Sequence, residues 1–290
     1  MIIETLKILK ARILPDSVYL KMIFKKHLGY NLNLKNPKTL NEKLQWLKLN
    51  YKDPILTTCT DKVAVRDYIA EKIGEEYLIP LLFTTRDVND LKKYSFPDVP
   101  FIVKANHNSG GFKIYKNKND VDLDELVAQC QIWLKTVYHH KNKEWQYKNI
   151  PPTILIEKLL MDEDGNIPSD IKFTCVNGQV EIVHIDSNKE VVHMRNNYTR
   201  DFEPLKVNWP AEYPRNEYIS KIENFDRMRD LAEKLAKPFP FVRVDLYSVQ
   251  GKIYFGELTF HPTSGFGRFS PPQYDLEMGK KLDLTNIKRT

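Results

Sequence analysis

Cysteine is scarce in this sequence, and long apolar runs are missing from it. The three cysteines, Cys59, Cys130 and Cys175, are far apart in a chain of 290 residues and lack the paired spacing of a zinc site or a disulfide framework. We therefore expect buried free thiols. No apolar stretch approaches the roughly 20 residues that cross a bilayer, and the N-terminus is too charged for a secretory signal. These features predict a cytoplasmic protein without a transmembrane segment.

An excess of one charge is also missing. The 44 basic and 38 acidic residues leave a formal net charge of +6, which suits an anionic ligand but is far below that of a nucleic-acid-binding surface. Nucleic acid is therefore not an expected partner. What the chain does have is 42% hydrophobic and 11% aromatic residues, which is enough to bury a substantial core in one large or two to three small domains.

Helical patterns dominate residues 1–55, which we predict to form a helical N-terminal region. Apolar residues recur there at helical spacing, and Pro15 separates a first segment from a second. Thr39 is followed three residues later by Glu42, and this capping-box pattern marks the start of a further helix. The sequence therefore predicts three short helices in this region.

Lys62 is the first candidate for binding an anion. Thr60 or Asp61 can cap a following helix, which would place Lys62 in its first turn. A cation is unfavourable at that positive helix end. Lys62 is therefore either simply solvated or held there for an anion.

Lys104 is the second candidate, near the end of a strand predicted for residues 101–105. The flexible loop that follows contains Ser109, Gly110 and Gly111, and its free backbone N–H groups can cover phosphates. Alternatively, the loop is a plain hairpin turn and the Lys104 side chain extends along the sheet to water. The loop is not a Walker P-loop, because no Gly-Lys-Ser/Thr follows.

The middle of the chain provides further charged candidates. Glu157 and Lys158 lie at the end of an apolar strand, where they indicate either a ligand at the sheet edge or a charge pair that blocks aggregation. An Asn-Gly turn further along predicts a β-hairpin, and Asp170 and Lys172 share one face of its first strand. A polar segment with Arg195 follows this hairpin.

A second hairpin is predicted around Gly251, where two alternating runs flank a turn. Arg243 and Asp245 share one face of its first strand. A register that mirrors the strands about the turn places Asp245 opposite Glu257. We expect the following residues of the second strand to share one face: Ile253, Phe255, Glu257 and Thr259.

The facing carboxylates of Asp245 and Glu257 need a positive partner, because like charges repel across a strand pair. A divalent cation with oxygen ligands, above all Mg²⁺, is one candidate for that partner. The alternative is a solvated hairpin face on which Arg243 and Lys252 neutralise the two acids. The hairpin alone leaves both interpretations open.

Five segments occur in the order expected of one superfamily: DKVAVRDYI, FIVKANHNSGG, IEKLL, DIKFTCVNG and VDL followed by GELTF. Over roughly residues 40–275 the chain resembles the ATP-grasp superfamily, most closely its TupA-like branch. The resemblance implies an α+β fold, in which two α+β subdomains clasp ATP between antiparallel sheets. With a boundary at the proline pair before residue 153, the subdomains would comprise residues 56–152 and 153–290.

The resemblance also implies a nucleotide site with ATP and Mg²⁺ as cofactors. Lys62 and Lys104 would contact the phosphates beneath a mobile lid at residues 108–111, which comprises Asn108, Ser109, Gly110 and Gly111. The remaining nucleotide-binding candidates are Glu157, Lys158 and Leu160 around the adenine, with Asp170 and Lys172. The Mg²⁺ ligands would be Asp245, Glu257 and Thr259. Many ATP-grasp enzymes have Asn where Thr259 stands, so the number of metals stays open.

In the implied reaction, a substrate carboxylate attacks the γ-phosphate of ATP and an amine then displaces phosphate. Because the branch is associated with bacterial surface polysaccharides, the expected substrates are a saccharide containing a uronic acid and an amine or amino acid. Arg243, with Lys104, would stabilise the acyl phosphate; alternatively, Arg243 forms a structural ion pair with Asp245. The candidates for substrate binding are Arg195, Thr263, Ser264, Gly265 and Arg268.

Two other activities remain open at this stage. The same nucleotide site could phosphorylate a sugar hydroxyl, and polysaccharide-cluster proteins of this kind are sometimes glycosyltransferases. A peripheral association with the inner face of the membrane is compatible with each activity.

Overall fold

The computed structural model describes residues 11–187, 192–285 and 287. Its helices are α1 (Asp16–Leu28), α2 (Leu40–Asn50), α3 (Pro54–Thr60), α4 (Val65–Lys72), α5 (Leu123–Leu134), α6 (Phe225–Ala236) and α7 (Gln273–Lys281). Two antiparallel sheets accompany them. The predicted α+β class is therefore confirmed.

The first sheet has the strand order β1-β4-β2-β3. Its strands are β1 (Leu81–Thr85), β2 (Phe101–Ala105), β3 (Phe112–Tyr115) and β4 (Ile154–Lys158). Because β4 pairs with both β1 and β2, the boundary predicted before residue 153 cuts through a sheet and has to move beyond β4. A core of buried side chains from this sheet and α5 includes Phe101, Val103, Leu126 and Ile156.

The second sheet has the order β7-β6-β5-β8-β9. Its strands are β5 (Asp170–Val176), β6 (Gln179–Ser187), β7 (Met194–Tyr198), β8 (Phe241–Val249) and β9 (Lys252–Thr259). Apolar side chains of one face pack against α6 in the largest core, as Phe173, Val244 and Leu246 do with Met228. Since strand side chains alternate between faces, charged residues of β5 and β8 lie on the opposite face.

A β-bulge in the β8–β9 hairpin corrects one prediction. Asp245 pairs with Glu257, as predicted, but the next residue, Leu246, pairs with Phe255. Gly256 is the extra residue, and a bulge of this kind resets the alternation. Ile253 and Phe255 therefore lie in the core and not on the face of Glu257. A side chain at Gly256 would start only 3.0 Å from the Asp245 carbonyl oxygen.

The N-terminal helices pack against the C-terminal helix. Thr39 and Glu42 form the predicted capping box at the start of α2, and α2 packs against α7. Gly279 of α7 lies against the start of α2, where an added Cβ atom would come within 2.0 Å of the Lys38 carbonyl oxygen. This contact explains why residue 279 has no side chain.

We expect Gly279→Ala to lower the free energy of unfolding by about 3 kcal/mol, because a methyl group would collide with backbone that cannot yield easily. Urea unfolding measures this change. Lys280→Ala is the matched control, since Lys280 is exposed on the same helix and should change stability by less than about 0.5 kcal/mol. An equally small effect of Gly279→Ala would contradict the close packing of α7 on α2.

Two predictions about what the chain lacks can be compared with the described residues. Cys59, Cys130 and Cys175 are buried and free, as predicted. In the described part of the chain, no helix is both long enough and apolar enough to cross a membrane.

Candidate active site

Arg243 joins the two carboxylates that face each other across β8 and β9. Its Nε and Nη2 atoms donate to the carboxylate oxygens of Asp245 at 2.6 and 2.7 Å. Nη2 also donates to Glu257 Oε1 and Thr259 Oγ1, both at 3.0 Å. The guanidinium group thus supplies the positive charge that the facing acids need. Lys252, the other predicted neutralising residue, pairs with Val249 at the turn end of the hairpin.

Lys172 of β5 extends this charged cluster across the sheet. Register places it beside Asp245, and its Nζ atom lies 3.3 Å from an Asp245 carboxylate oxygen. Asp170 and Asp186 lie at 3.2 and 3.3 Å from the same nitrogen. The predicted shared face of Asp170 and Lys172 is therefore confirmed, and both residues belong to one network with Asp245.

Glu257 has the properties of a metal ligand. Its Oε1 atom accepts hydrogen bonds from Arg243 and Thr259, whereas Oε2 has no partner among residues 11–187, 192–285 and 287, and 47% of the side chain is exposed. The positive charges of Arg243, Lys62 and Lys172 lower the pKa of Glu257 to about 2. The carboxylate is therefore ionised and can offer an oxygen atom to a cation.

The donor set fits Mg²⁺ only in combination with a ligand that brings its own oxygens. Within the described ranges, no group of three or more His, Cys, Asp or Glu side chains could hold a metal. Mg²⁺ commonly binds one or two carboxylates and takes its other ligands from phosphates and water. Asp245 and Glu257 match that pattern, with the Thr259 hydroxyl as a weaker neutral donor.

The first sheet contributes a second group of charges. Lys104 Nζ lies 2.7 Å from Glu157 Oε2, and Arg66 Nη1 lies 3.2 Å from Glu157 Oε1. The structure thus brings the predicted Lys104 and Glu157 together and adds Arg66, which the sequence reasoning missed. No local pattern of the sequence marks Arg66, because its contact with Glu157 joins segments 91 positions apart.

Lys62 lies in the turn between α3 and α4, not in the first turn of a helix as predicted. The helix α3 continues to Thr60 and α4 begins only at Val65. Asp61 Oδ1 still accepts a hydrogen bond from Val63 N at 2.9 Å, within the turn that holds Lys62. Burial lowers the pKa of the Lys62 ammonium, although Glu257 of the second sheet acts in the opposite direction. Lys62 is therefore within electrostatic reach of Glu257.

The predicted lid is linked to Lys62. Lys62 Nζ donates to the Asn108 carbonyl oxygen at 2.7 Å. Asn108 is buried, and its Oδ1 atom has no hydrogen-bond partner in the described part of the chain, while Ser109 and Gly110 are exposed. The loop therefore combines a buried side-chain amide oxygen that lacks a hydrogen-bond partner, at Asn108, with an exposed tip at Ser109 and Gly110.

Two of the residues predicted to surround the adenine, Lys158 and Leu160, lie at or beyond the end of β4. Lys158 is exposed, and its backbone nitrogen donates to the Pro80 carbonyl oxygen at 3.0 Å. Leu160 lies two residues beyond the end of β4. Their assignment to the adenine therefore stays a prediction.

A cavity of about 160 Å³ adjoins the carboxylate pair and contains three cationic side chains, Lys172, Arg195 and Arg243. Asp186 is the acidic residue in its lining, and Trp209 and Tyr213 provide aromatic walls. Such a cavity can accommodate an anionic group attached to a flat or ring-shaped body. Because Arg243 and Lys172 also contact Asp245, the cavity and the carboxylate pair share a wall.

Arg195, predicted to bind substrate, lies in the lining of this cavity. Its guanidinium group makes a two-pronged contact with Asp186, at 2.5 and 2.8 Å, and lies over the ring of Tyr213 at 4.8 Å. Burial opposes ionisation of Asp186, but Arg195 outweighs it and lowers the pKa of this carboxyl group. The pair therefore keeps both of its charges beside the cavity.

The predicted substrate-binding residues after β9 do not all reach the cavity. Thr263 lies in its lining. Ser264 and Gly265 instead direct their carbonyl oxygens at the Gln45 side chain of α2. Arg268 is exposed, and its Nε atom donates to the His27 carbonyl oxygen at 2.6 Å, so the structure does not bring it to the cavity.

Solved ATP-grasp structures are similar to this chain at low identity. D-alanine–D-alanine ligase from Bacillus anthracis is 18% identical, with a TM-score of 0.39, and the match covers 71% of this chain and 59% of that one. The D-alanine–D-alanine ligase from Helicobacter pylori is 14% identical, with a TM-score of 0.42, and the match covers 86% of this chain and 68% of that one. N5-carboxyaminoimidazole ribonucleotide synthetase is 14% identical, with a TM-score of 0.45, and the match covers 79% of this chain and 56% of that one. The chain thus spans less than two thirds of the Bacillus anthracis ligase.

No curated protein matches the sequence significantly. A family model does: the TupA-like ATP-grasp model matches residues 42–283, which confirms the resemblance and the ATP-grasp fold predicted from the five ordered segments. This chain belongs to the TupA-like ATP-grasp family.

Proposed function

We propose that this protein is an ATP-dependent carboxylate–amine ligase that forms an amide through an acyl phosphate. The observation that supports this most directly is the shared wall between the cationic cavity and the carboxylate pair. Arg243 and Lys172 line the cavity and contact Asp245. A carboxylate bound there would lie next to a phosphate that is held at the carboxylate pair.

ATP would bind between the two groups of charges. Lys62 and Lys104 are the proposed phosphate contacts, and Arg66 shares the carboxylate of Glu157 with Lys104. Asn108 to Gly111 would close over the phosphates, and the buried, unpartnered Asn108 Oδ1 would gain a partner in that closure. The adenine would lie near Glu157, Lys158 and Leu160, with Asp170 and Lys172 completing the nucleotide site.

Asp245 and Glu257, with Thr259, would hold Mg²⁺. When bound, the ion would neutralise charge on the phosphate oxygens as a Lewis acid. The chain's own contribution is to hold both carboxylates in cross-strand register and to lower the pKa of Glu257. Arg243 has to share Glu257 with the ion, and the free Oε2 atom allows it to do so.

The reaction would proceed in two displacements. A carboxylate oxygen attacks the γ-phosphorus, the bond to the bridging oxygen of ADP breaks, and an acyl phosphate forms. The amine nitrogen then attacks the acyl carbon and loses a proton, and inorganic phosphate leaves with the former carboxylate oxygen. Arg243 would stabilise the charge that develops on the phosphoryl and acyl oxygens, because a preorganised guanidinium in a buried site is a strong electrostatic catalyst.

The proposed substrates are a uronic acid of a surface polysaccharide or its precursor and an amino acid or amine. The cationic groups of the cavity suit the uronate carboxylate, and Tyr213 and Trp209 suit a sugar ring, since aromatic side chains bind such faces well. A cytoplasmic location, with or without peripheral contact to the membrane, is part of this proposal.

Hydroxylamine tests the proposal without knowledge of the natural amine, because it traps acyl phosphates as hydroxamates. We expect hydroxamate and ADP to form in equal amounts from ATP, Mg²⁺ and a suitable uronate, read by mass spectrometry. A phosphosugar without hydroxamate would identify a kinase instead. Turnover of a nucleotide sugar without ATP would identify a glycosyltransferase. Either result would overturn the ligase assignment.

A further inference from the structure

One face of α2 is directed at the loop of residues 263–267 and not only at the apolar core. Asn41, Gln45 and Lys48 lie on this face at intervals of four and three residues, which places them in one row along the helix. Their exposed fractions are 0%, 0% and 1%. The large majority of buried polar side-chain atoms in proteins are hydrogen-bonded, so the partners of this row indicate what it does.

The row donates to carbonyl oxygens of the loop, besides the bonds from Asn41 to Asp275 and from Lys48 to Gln45. Gln45 Nε2 donates to the Gly265 oxygen at 2.7 Å and to the Ser264 oxygen at 3.1 Å. Lys48 Nζ donates to the Ser264 oxygen at 2.6 Å, and Asn41 Nδ2 donates to the Gly267 oxygen at 2.9 Å. Three side chains of one helix thus fix three of the four carbonyl groups from Ser264 to Gly267.

The loop that they hold is strained. Thr263 and Ser264 both adopt left-handed backbone conformations, with φ of 47° and 54°, and Gly265 follows with φ of 65°. Consecutive left-handed residues other than glycine persist only where their surroundings impose them. A Cβ atom on Gly265 would lie 2.5 Å from Gln45 Nε2, so the close approach of the helix also requires this glycine.

A second segment holds the same loop from another side. Ser264 Oγ donates to Glu144 Oε1 at 2.5 Å and accepts from Asn142 Nδ2 at 2.7 Å. Lys48 connects the two sides, because its Nζ atom also donates to the Asn142 carbonyl oxygen at 3.1 Å. The backbone and side chain of Ser264 are therefore fixed together, next to Thr263 in the cavity lining.

We propose that Asn41, Gln45 and Lys48 are positioning residues, which set the loop of residues 263–267 in the conformation that binds the acceptor. This inference rests on the proposed function, because it assigns the cavity beside Thr263 to the carboxylate substrate. It gives the helical N-terminal region a role in acceptor binding that is separate from ATP binding.

Lys48→Met and Gln45→Met test the inference. We expect each to raise the KM for glucuronate about tenfold in the hydroxamate assay, while the KM for ATP stays within about twofold, because one lost charged or buried hydrogen bond is worth about 1.4 kcal/mol or more. In hydrogen exchange, the amides of Ser264 and Phe266 should exchange about tenfold faster. Gln45→Met leaves the buried Lys48 charge in place. If Lys48→Met does not fold, Gln45→Met alone still tests the inference.

Lys43→Met is the matched control. Lys43 lies on the same helix, but its Nζ atom donates to the Leu282 carbonyl oxygen and not to the loop. It should change neither the KM for glucuronate nor exchange at residues 263–267. Unchanged exchange in both test variants, or equal rises in the two KM values, would overturn the inference. A wild-type protein that forms no hydroxamate would overturn the proposed function, while exchange would still test the loop contacts.

Discussion

Glu257→Gln should reduce ATP turnover about 1000-fold, which corresponds to about 4 kcal/mol of transition-state stabilisation. The amide keeps an oxygen that can accept from Arg243 and Thr259, as Oε1 does now. It removes the negative charge that Mg²⁺ requires. Coupled-enzyme detection of ADP measures turnover, and circular dichroism with urea unfolding checks that the fold is retained.

Glu181→Gln is the matched control for this substitution. Glu181 is a carboxylate of the same sheet, but it pairs with Lys281 at the surface and has no contact with the site. It should leave turnover within about twofold, because exposed ion pairs contribute little. If Glu257→Gln behaved in the same way, the metal assignment of Asp245 and Glu257 would be lost.

Arg243→Lys should lower the rate of hydroxamate formation about 100-fold, the effect of removing one well-placed donor from an oxyanion site. A lysine carries the same charge but cannot donate to both Asp245 oxygens and also to Glu257, because it lacks the planar fork of arginine. Binding of an ATP analogue, measured by calorimetry, should change much less, since Lys62 and Lys104 remain.

Arg227→Lys provides the comparison for Arg243→Lys. Arg227 of α6 donates to the Tyr77 hydroxyl in an exposed contact and should tolerate the change. If Arg243→Lys altered only stability and not the rate of the folded enzyme, Arg243 would be a structural ion pair with Asp245. This is the alternative interpretation that the sequence leaves open for Arg243.

The alternation of residues in the sequence predicts most of the β8–β9 hairpin, which holds Asp245 and Glu257. The register that places Asp245 opposite Glu257 follows from alternation about Gly251, and the structure confirms it. The faces of Ile253 and Phe255 were assigned wrongly because Gly256 forms a bulge. A glycine within a strand can signal a bulge, but the sequence alone does not show on which side of it the alternation changes.

Contacts between distant segments cannot be predicted from the spacing of neighbouring residues in the sequence. Arg66 meets Glu157 across 91 positions, and Lys48 meets Ser264 across 216. Neither pair has a spacing that a helix or a strand would impose, since packing of separate elements creates both. Arg268 is a further example. Its proximity to Thr263 in the sequence predicts a shared role in substrate binding, but packing of distant segments directs its side chain to the His27 carbonyl oxygen.

The fate of the carboxylate oxygen tests the central claim most directly. A uronate labelled with ¹⁸O in its carboxylate is incubated with the enzyme, ATP, Mg²⁺ and an amine or hydroxylamine, and the released inorganic phosphate is analysed by mass spectrometry. Activation through an acyl phosphate predicts one ¹⁸O atom in each phosphate released. Phosphate that is released during amide or hydroxamate formation without ¹⁸O would contradict it.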